Sequence, residues 1–251
     1  MMKAEELVGY LDRYLRIGEV PDSERAWNGL EVEGTREVGC VGVAVDAGER
    51  TLEEAIGRGC DFLIVHHGLF WDGGLPVTGR RYRRLRRLLE AGVWLYGAHI
   101  PLDVHPEVGN SVVLARAMGV EVEGTFGDWG GVEIGVHGRL EIRRETLAAR
   151  LDDLLGQPVR LLAGGPERVR RVGVVTGAGG GMIGAAIGAG LDAYVTGEGA
   201  HHTWFDAMED GINVYYGGHY ATETWGVRAL AAHLSERFGL EHAFIDKPTG
   251  L

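Results

Sequence analysis

Residues 36–68 slide onto residues 167–199 without a gap, and this internal repeat limits the possible folds of the chain more than any other feature. REVGCVGVAVDAGERTLEEAIGRGCDFLIVHHG lies over ERVRRVGVVTGAGGGMIGAAIGAGLDAYVTGEG. At this offset of 131, Val41-Gly42-Val43 meets Val172-Gly173-Val174, Ala55-Ile56-Gly57 meets Ala186-Ile187-Gly188, and Gly59 and Asp61 meet Gly190 and Asp192. Each copy reads as a short apolar strand, a turn, a helix closed by glycine and a second apolar strand, which predicts a βαβ unit with a parallel strand pair. In the first copy Thr51 and Glu54 have the spacing of a capping box, and Gly59 suits the position just past a helix end. A second block follows each copy at an offset of 120, LYGAHIPLD (95–103) over YYGGHYATE (215–223), aligning His99 with His219 and Asp103 with Glu223. Between the copies GVEIGVHGRLEI, ETLAARLDDLLG and PVRLLAGG read by period as strand, helix and strand.

The expected fold class is therefore α/β, with two similar α/β units from an internal duplication and mixed or parallel sheets flanked by helices. The first half is expected over residues 1–126 and the second over 127–251. A chain of 251 residues with a hydrophobic fraction of 45% can fill such cores without staples. Its formal net charge of -11 argues against nucleic acid or an anionic membrane as partners, and an anionic substrate would need a local positive cluster. The two cysteines, Cys40 and Cys60, make no CxxC pair and read as core residues. The opening MMKAEELVGYLDRYLRI sets Leu7, Leu11 and Leu15 at helical spacing and lacks the apolar run of an export signal. No stretch reaches about 18 consecutive apolar residues, so a cytoplasmic location is expected.

His66-His67-Gly68 follows the apolar run DFLIV, and open α/β sheets place ligand sites at the carboxyl ends of their strands. Neighbouring strand residues point opposite ways, so both imidazoles serve as ligands only with two metals or a bend in the chain, which favours a dinuclear centre. His99 with Asp103 and His219 with Glu223 add nitrogen and oxygen donors. That mixture suits zinc, iron, manganese, cobalt or nickel better than calcium. Any one histidine alone reads more readily as a hydrogen-bonding residue at a strand end than as a ligand. Gly179-x-Gly181-x-x-Gly184 matches the dinucleotide fingerprint, but the first copy makes the same turn with Gly48, Glu49 and Arg50, and no ribose-binding acid follows. A tight turn is the expectation there. Arg80, Arg81, Arg83, Arg84, Arg86 and Arg87 predict a basic helix whose arginines face solvent or form salt bridges between subunits, with contact to a phosphorylated substrate or nucleic acid the alternative.

WNGLEVEG, DFLIVHHGLFW, YGAHIPLDVHPEVGN, VTGEGAHH and GGHYATETWGVRAL resemble, in wording and order, the signature blocks of the GTP cyclohydrolase 1 type 2 homologs, also called the Nif-three-like dinuclear metal centre family. The resemblance spans nearly the whole chain and is to the short form of the family, without a large inserted domain. It implies two divalent metal ions per chain on His66, His67, Asp103, His219 and Glu223, with Glu223 the foremost candidate for a bridging carboxylate. It also implies a ring-shaped homohexamer whose sites face an internal cavity. Trp71, Trp129, Trp204 and Trp225, in or beside loops, are candidates for subunit contacts. His99, Glu198, which overlies His67 in the repeat, and His202 are left as supporting or proton-transfer residues. The expected activity is hydrolysis of a small-molecule substrate such as a nucleotide, either at the imidazole ring of GTP or at a phosphoester. The alternative is a metal-containing adaptor without turnover.

Overall fold

The structure, a computed structural model, describes residues 1–71 and 75–251. The chain begins with α1 (Ala4–Tyr14), β1 (Gly29–Val32), β2 (Cys40–Asp46), α2 (Glu49–Gly57), β3 (Phe62–His67), α3 (Gly79–Ala91) and β4 (Trp94–Gly97). It continues through α4 (Ile100–Asp103), α5 (Asn110–Ala117), β5 (Glu121–Trp129), β6 (Val132–Arg143), α6 (Arg144–Leu155) and β7 (Arg160–Ala163). The remainder is β8 (Arg168–Val174), a 3-10 turn (Gly179–Met182), α7 (Ile183–Gly188), β9 (Ala193–Thr196), α8 (Thr203–Glu209), β10 (Asn213–Tyr216), α9 (His219–Phe238) and β11 (Glu241–Phe244). Among the described residues, no helix is long and apolar enough to cross a membrane.

The first compact unit comprises Met1–Leu102 and Gly226–Lys247. Its sheet has the order β1-β4-β3-β2-β11, with β1 antiparallel to β4 and the other pairs parallel. Strand residues point alternately to the two faces, and both faces here are dry, which is why DFLIV is apolar throughout rather than alternating. Leu63, Val65 and Leu95 pack with Leu52 and Ala55 of α2 and Leu88 of α3. Phe62, Ile64 and Tyr96 are buried on the opposite face. Three arginines of α3 are engaged by neighbouring acids, with Arg83–Glu49, Arg87–Glu53 and Arg86–Glu90 each at 2.7 Å. Exposed pairs of this kind add little to stability, and they neutralise part of the basic face.

The second unit comprises Asp103–Trp225 and Pro248–Leu251, with sheet order β5-β6-β8-β9-β10-β7. β8, β9 and β10 are parallel, and β5, β6 and β7 join antiparallel. The duplication is visible residue by residue. Val41 pairs with Phe62 and Val43 with Ile64, and at the same offset of 131 Val172 pairs with Ala193 and Val174 with Val195. It also reaches further back than the matching letters. Both α1 and α6 precede a strand that adds antiparallel beside the third parallel strand, and Leu7, Leu11 and Leu15 answer to Leu147, Leu151 and Leu155.

Three expectations need correcting. The boundary at 126/127 cuts β5 in two. The compact units instead exchange segments: after β4 the chain runs through α5 into β5 and β6, which complete the second sheet beside β8, and after β10 it runs through α9 into β11, which completes the first sheet beside β2. The second block aligns differently from its letters. Val65 pairs with Gly97 and Thr196 with Tyr216, so the ladder offset is 119 and His99 corresponds to Gly218 rather than to His219. Tyr96 and Tyr215, equivalent under this register, are both fully buried, as a shared face requires. Lastly, α2 is capped by the backbone of Gly48, which places Thr51 inside the first turn and frees Glu54 to pair with Lys247 and Arg58; Gly59, at φ +74°, does close the helix as expected.

Candidate metal centre

In the first unit three imidazoles gather at the carboxyl ends of β3 and β4. His66 and His67 are the last residues of β3, and His99 lies two residues past β4. Their ring centroids are 4.7 Å (His66–His67), 5.0 Å (His66–His99) and 5.7 Å (His67–His99) apart. Each offers a ligand atom within 4.8 Å of those of the other two. Each ring is also tied at Nδ1. His66 donates to the Ala98 carbonyl at 2.9 Å, His67 to Asp46 Oδ1 at 2.9 Å, and His99 to the Asp22 carboxylate at 2.9 and 3.0 Å. An imidazole that donates from Nδ1 carries its lone pair on Nε2, and this tethering to a carbonyl or carboxylate is how proteins orient metal-binding histidines. Asp22 itself is held by Asn28 Nδ2 at 2.8 Å and by the Ile100 N–H at 3.1 Å. Burial pushes its carboxyl up, but the hydrogen bonds from His99 and Asn28 outweigh that and hold it below the usual carboxylate range. Trp71 stands edge-on to His99 at 4.6 Å and to His67 at 5.3 Å.

In the second unit His219 opens α9 with Glu223 one turn on. Its Nε2 lies 3.1 Å from Glu223 Oε2 and its Nδ1 2.8 Å from Glu198 Oε1. The hydrogen bond to buried Glu223 is the largest influence on the ring; it outweighs burial and, with Glu198 adding, raises the pKa to about 9. Gly177, the repeat equivalent of Asp46, gives Glu223 its room. It has φ +66°, and a Cβ there would lie 2.0 Å from Glu223 Oε1. Asp103 accepts a hydrogen bond from Asn110 Nδ2 at 2.8 Å.

Behind the His66-His67-Gly68 turn sits Glu31 of β1. It accepts the Leu69 N–H at 2.7 Å, and a Cβ on Gly68 would fall 1.6 Å from Glu31 Oε1, so the turn and the carboxyl share one space. Burial raises this acid from its ordinary 4.5 to about 7, against the backbone N–H bonds that favour its charged form. A raised carboxyl pKa means that the folded state holds its proton after the unfolded chain has lost it. The contribution is therefore present below about 4.5 and is lost as pH rises through about 7. Glu31→Gln is expected to remove that dependence, gaining on the parent by on the order of 2–3 kcal/mol between pH 5 and pH 8 in paired urea titrations. An unchanged difference across that range would exclude Glu31 as the group responsible.

Of the residues singled out from sequence, His66, His67 and His99 meet in the first unit, and His219, Glu223 and Glu198 meet in the second. His202 is exposed at the head of α8, whereas His201 lines the cavity beside Glu198. Sequence reading missed Asp22 and Asp46. Asp46 carried a signal, since it is a carboxylate at the carboxyl end of an apolar strand, VGVAVD, next to the strand bearing the histidines. The glycines of the fingerprint serve packing: a Cβ on Gly179 would meet Thr196 Oγ1 at 2.5 Å, and one on Gly180 would meet the Gly199 Cα at 2.5 Å. Oriented imidazoles with nearby carboxylates fit divalent transition-metal ions by donor type.

A duplicated α/β scaffold with histidine and carboxylate donors at the carboxyl ends of its parallel strands defines a class of candidate metal-binding α/β proteins. The chain belongs to the Duf34/NIF3 (NGG1p interacting factor 3) family, whose profile matches residues 2–250. It is 45% identical over 249 residues to the GTP cyclohydrolase 1 type 2 homolog of Deinococcus radiodurans, covering 98% of this chain and 94% of that protein. Among solved structures it resembles TTHA1606 from Thermus thermophilus, with a TM-score of 0.91, 46% identity and 100% of both chains covered. Protein ybgI, described as of unknown function, matches with a TM-score of 0.92 at 38% identity over 100% of both chains.

Proposed function

We propose that the chain is a metal-dependent hydrolase acting on a nucleotide or a related phosphorylated small molecule, with two divalent transition-metal ions held by His66, His67, Asp103, His219 and Glu223. The observation that carries this reading is the trio of His66, His67 and His99, each tied at Nδ1 and each offering a ligand atom within 4.8 Å of the others. Such ions, when bound, act as Lewis acids on a phosphoryl or carbonyl oxygen and make water nucleophilic near neutral pH. The chain's own residues supply orientation and proton handling. Asp46 and Asp22 fix the rings of His67 and His99, and Glu198 fixes His219. His99, backed by Asp22, and Glu198 are the groups suited to accept a proton from attacking water. The relatives' shared name supports attack on the imidazole ring of GTP, and the same groups would serve phosphoester hydrolysis.

The test joins metal analysis of the purified protein to a hydrolysis screen of nucleotides and phosphoesters. One to two transition-metal equivalents per chain, with turnover lost in His66→Ala, supports the reading. Full metal content without turnover on any nucleotide or phosphoester favours the adaptor instead. The assembly is proposed to be a cytoplasmic homohexamer. Phe205 and Met208, 45% and 40% exposed on α8, support an apolar subunit contact. A monomer's mass by light scattering would exclude it.

A further inference from the structure

The second unit contains a cavity of about 600 Å³ whose wall includes Glu198, the partner of His219, and which none of the roles above uses. It is built on the edge of the second sheet. Arg160 of β7 stands directly opposite Tyr216 of β10 in an antiparallel pair, and opposed residues project from the same face, so the guanidinium and the phenol rise side by side. The phenol is fixed: Thr203 donates to the Ala200 carbonyl at 2.6 Å and accepts from the Tyr216 hydroxyl at 2.5 Å. The backbone of Gly199 passes beneath the same ring, where a Cβ would lie 2.4 Å from the hydroxyl. Any side chain at position 199 would therefore collide with Tyr216. Trp204 of α8 forms the rim, with 44% of its surface exposed.

Two features say what this cavity would take. In a chain of net charge -11, where Arg83, Arg86 and Arg87 of α3 are ion-paired, no carboxylate pairs with Arg160 among the described residues. Glu198, the carboxylate in the lining, is engaged by His219. A guanidinium without a carboxylate partner is suited to a phosphate, which it can grip with two parallel hydrogen bonds. An exposed indole at the rim offers a face on which a planar heterocycle stacks. The volume lies in the range of small-ligand pockets. We propose that this cavity is a nucleoside monophosphate subsite, in which Arg160 takes the phosphate and Trp204 the base, beside the Glu198–His219 pair. This deepens the hydrolase reading above, and rests on it, by naming where the two ends of the substrate are held.

The experiment is a binding titration on the intact, metal-loaded chain with GMP, guanosine and inorganic phosphate, read by calorimetry and tryptophan fluorescence. GMP is expected to bind saturably and more tightly than guanosine. Arg160→Gln should weaken GMP by about tenfold or more while leaving guanosine within about twofold, with Arg160→Lys intermediate because it restores charge without the fork. Trp204→Leu should weaken both ligands by about tenfold and remove the fluorescence change. Arg160 and Trp204 are surface positions, and thermal melts of each variant establish folding first. Equal GMP binding by Arg160→Gln and the parent, equal affinity of the parent for GMP and guanosine, or no saturable binding of GMP overturns the proposal. Because binding is read without turnover, the two readings fail separately. Arg160-dependent GMP binding without hydrolysis retains the subsite and removes the hydrolase, whereas hydrolysis of other phosphoesters indifferent to Arg160 does the reverse.

Discussion

Replacing His67 by alanine is expected to remove at least one metal ion per chain, and replacing its partner Asp46 by alanine to weaken that ion by about 10–100-fold without abolishing binding. The difference follows from what each group does. In the proposed site His67 supplies a donor atom, whereas Asp46, 2.9 Å from His67 Nδ1, fixes the tautomer and the ring plane. Elemental analysis of the purified variants, followed by titration against a competing chelator, separates the two outcomes. If His67→Ala kept the parent's metal stoichiometry, the ligand assignment would be wrong. If Asp46→Ala kept its affinity, the tether would be mere packing.

Gly177→Ala should be damaging for two reasons that add. The residue is held at φ +66°, where a side chain costs about 1–2 kcal/mol, and its new Cβ would lie 2.0 Å from Glu223 Oε1, a clash with a buried carboxylate. With overpacking of about 1–3 kcal/mol, the expected loss of stability is about 2–5 kcal/mol by urea denaturation. Movement of Glu223 should also lower metal content, because the carboxylate leaves its place beside His219. A variant as stable and as metal-rich as the parent would show that Glu223 has a second position of equal merit.

The repeat was legible because a βαβ unit writes itself in local pattern, and the structure repeats even the strand register, from Val41–Phe62 to Val172–Ala193. The candidate donors were legible for a related reason, since strand ends in such sheets are where side chains converge. What periodicity does not encode is which sheet edge a strand joins. Nothing in the wording of β6 or β11 says that each completes the sheet of the other half. Matching letters misled in one place, because the shared Tyr-Gly-x-His wording aligns His99 with His219 while the ladder sets them one residue apart. The tethers were hidden by distance along the chain: Asp22 reaches His99 across 77 residues, and Asp46 reaches His67 across 21.

The partnership of β2 with β11 governs the order in which the molecule can be made. Cys40 of β2 waits for Glu241 of β11, so on the ribosome the first sheet keeps one bare edge until the chain through β11 has emerged. At about 5–20 residues per second that interval is roughly 10–40 s. Throughout it β2 offers unpaired backbone groups along CVGVAVD, a run with a single charge, to any neighbouring nascent chain. Growth temperature and crowding of polysomes should therefore bear on the yield of this protein through that one edge, before any stability of the finished fold comes into play.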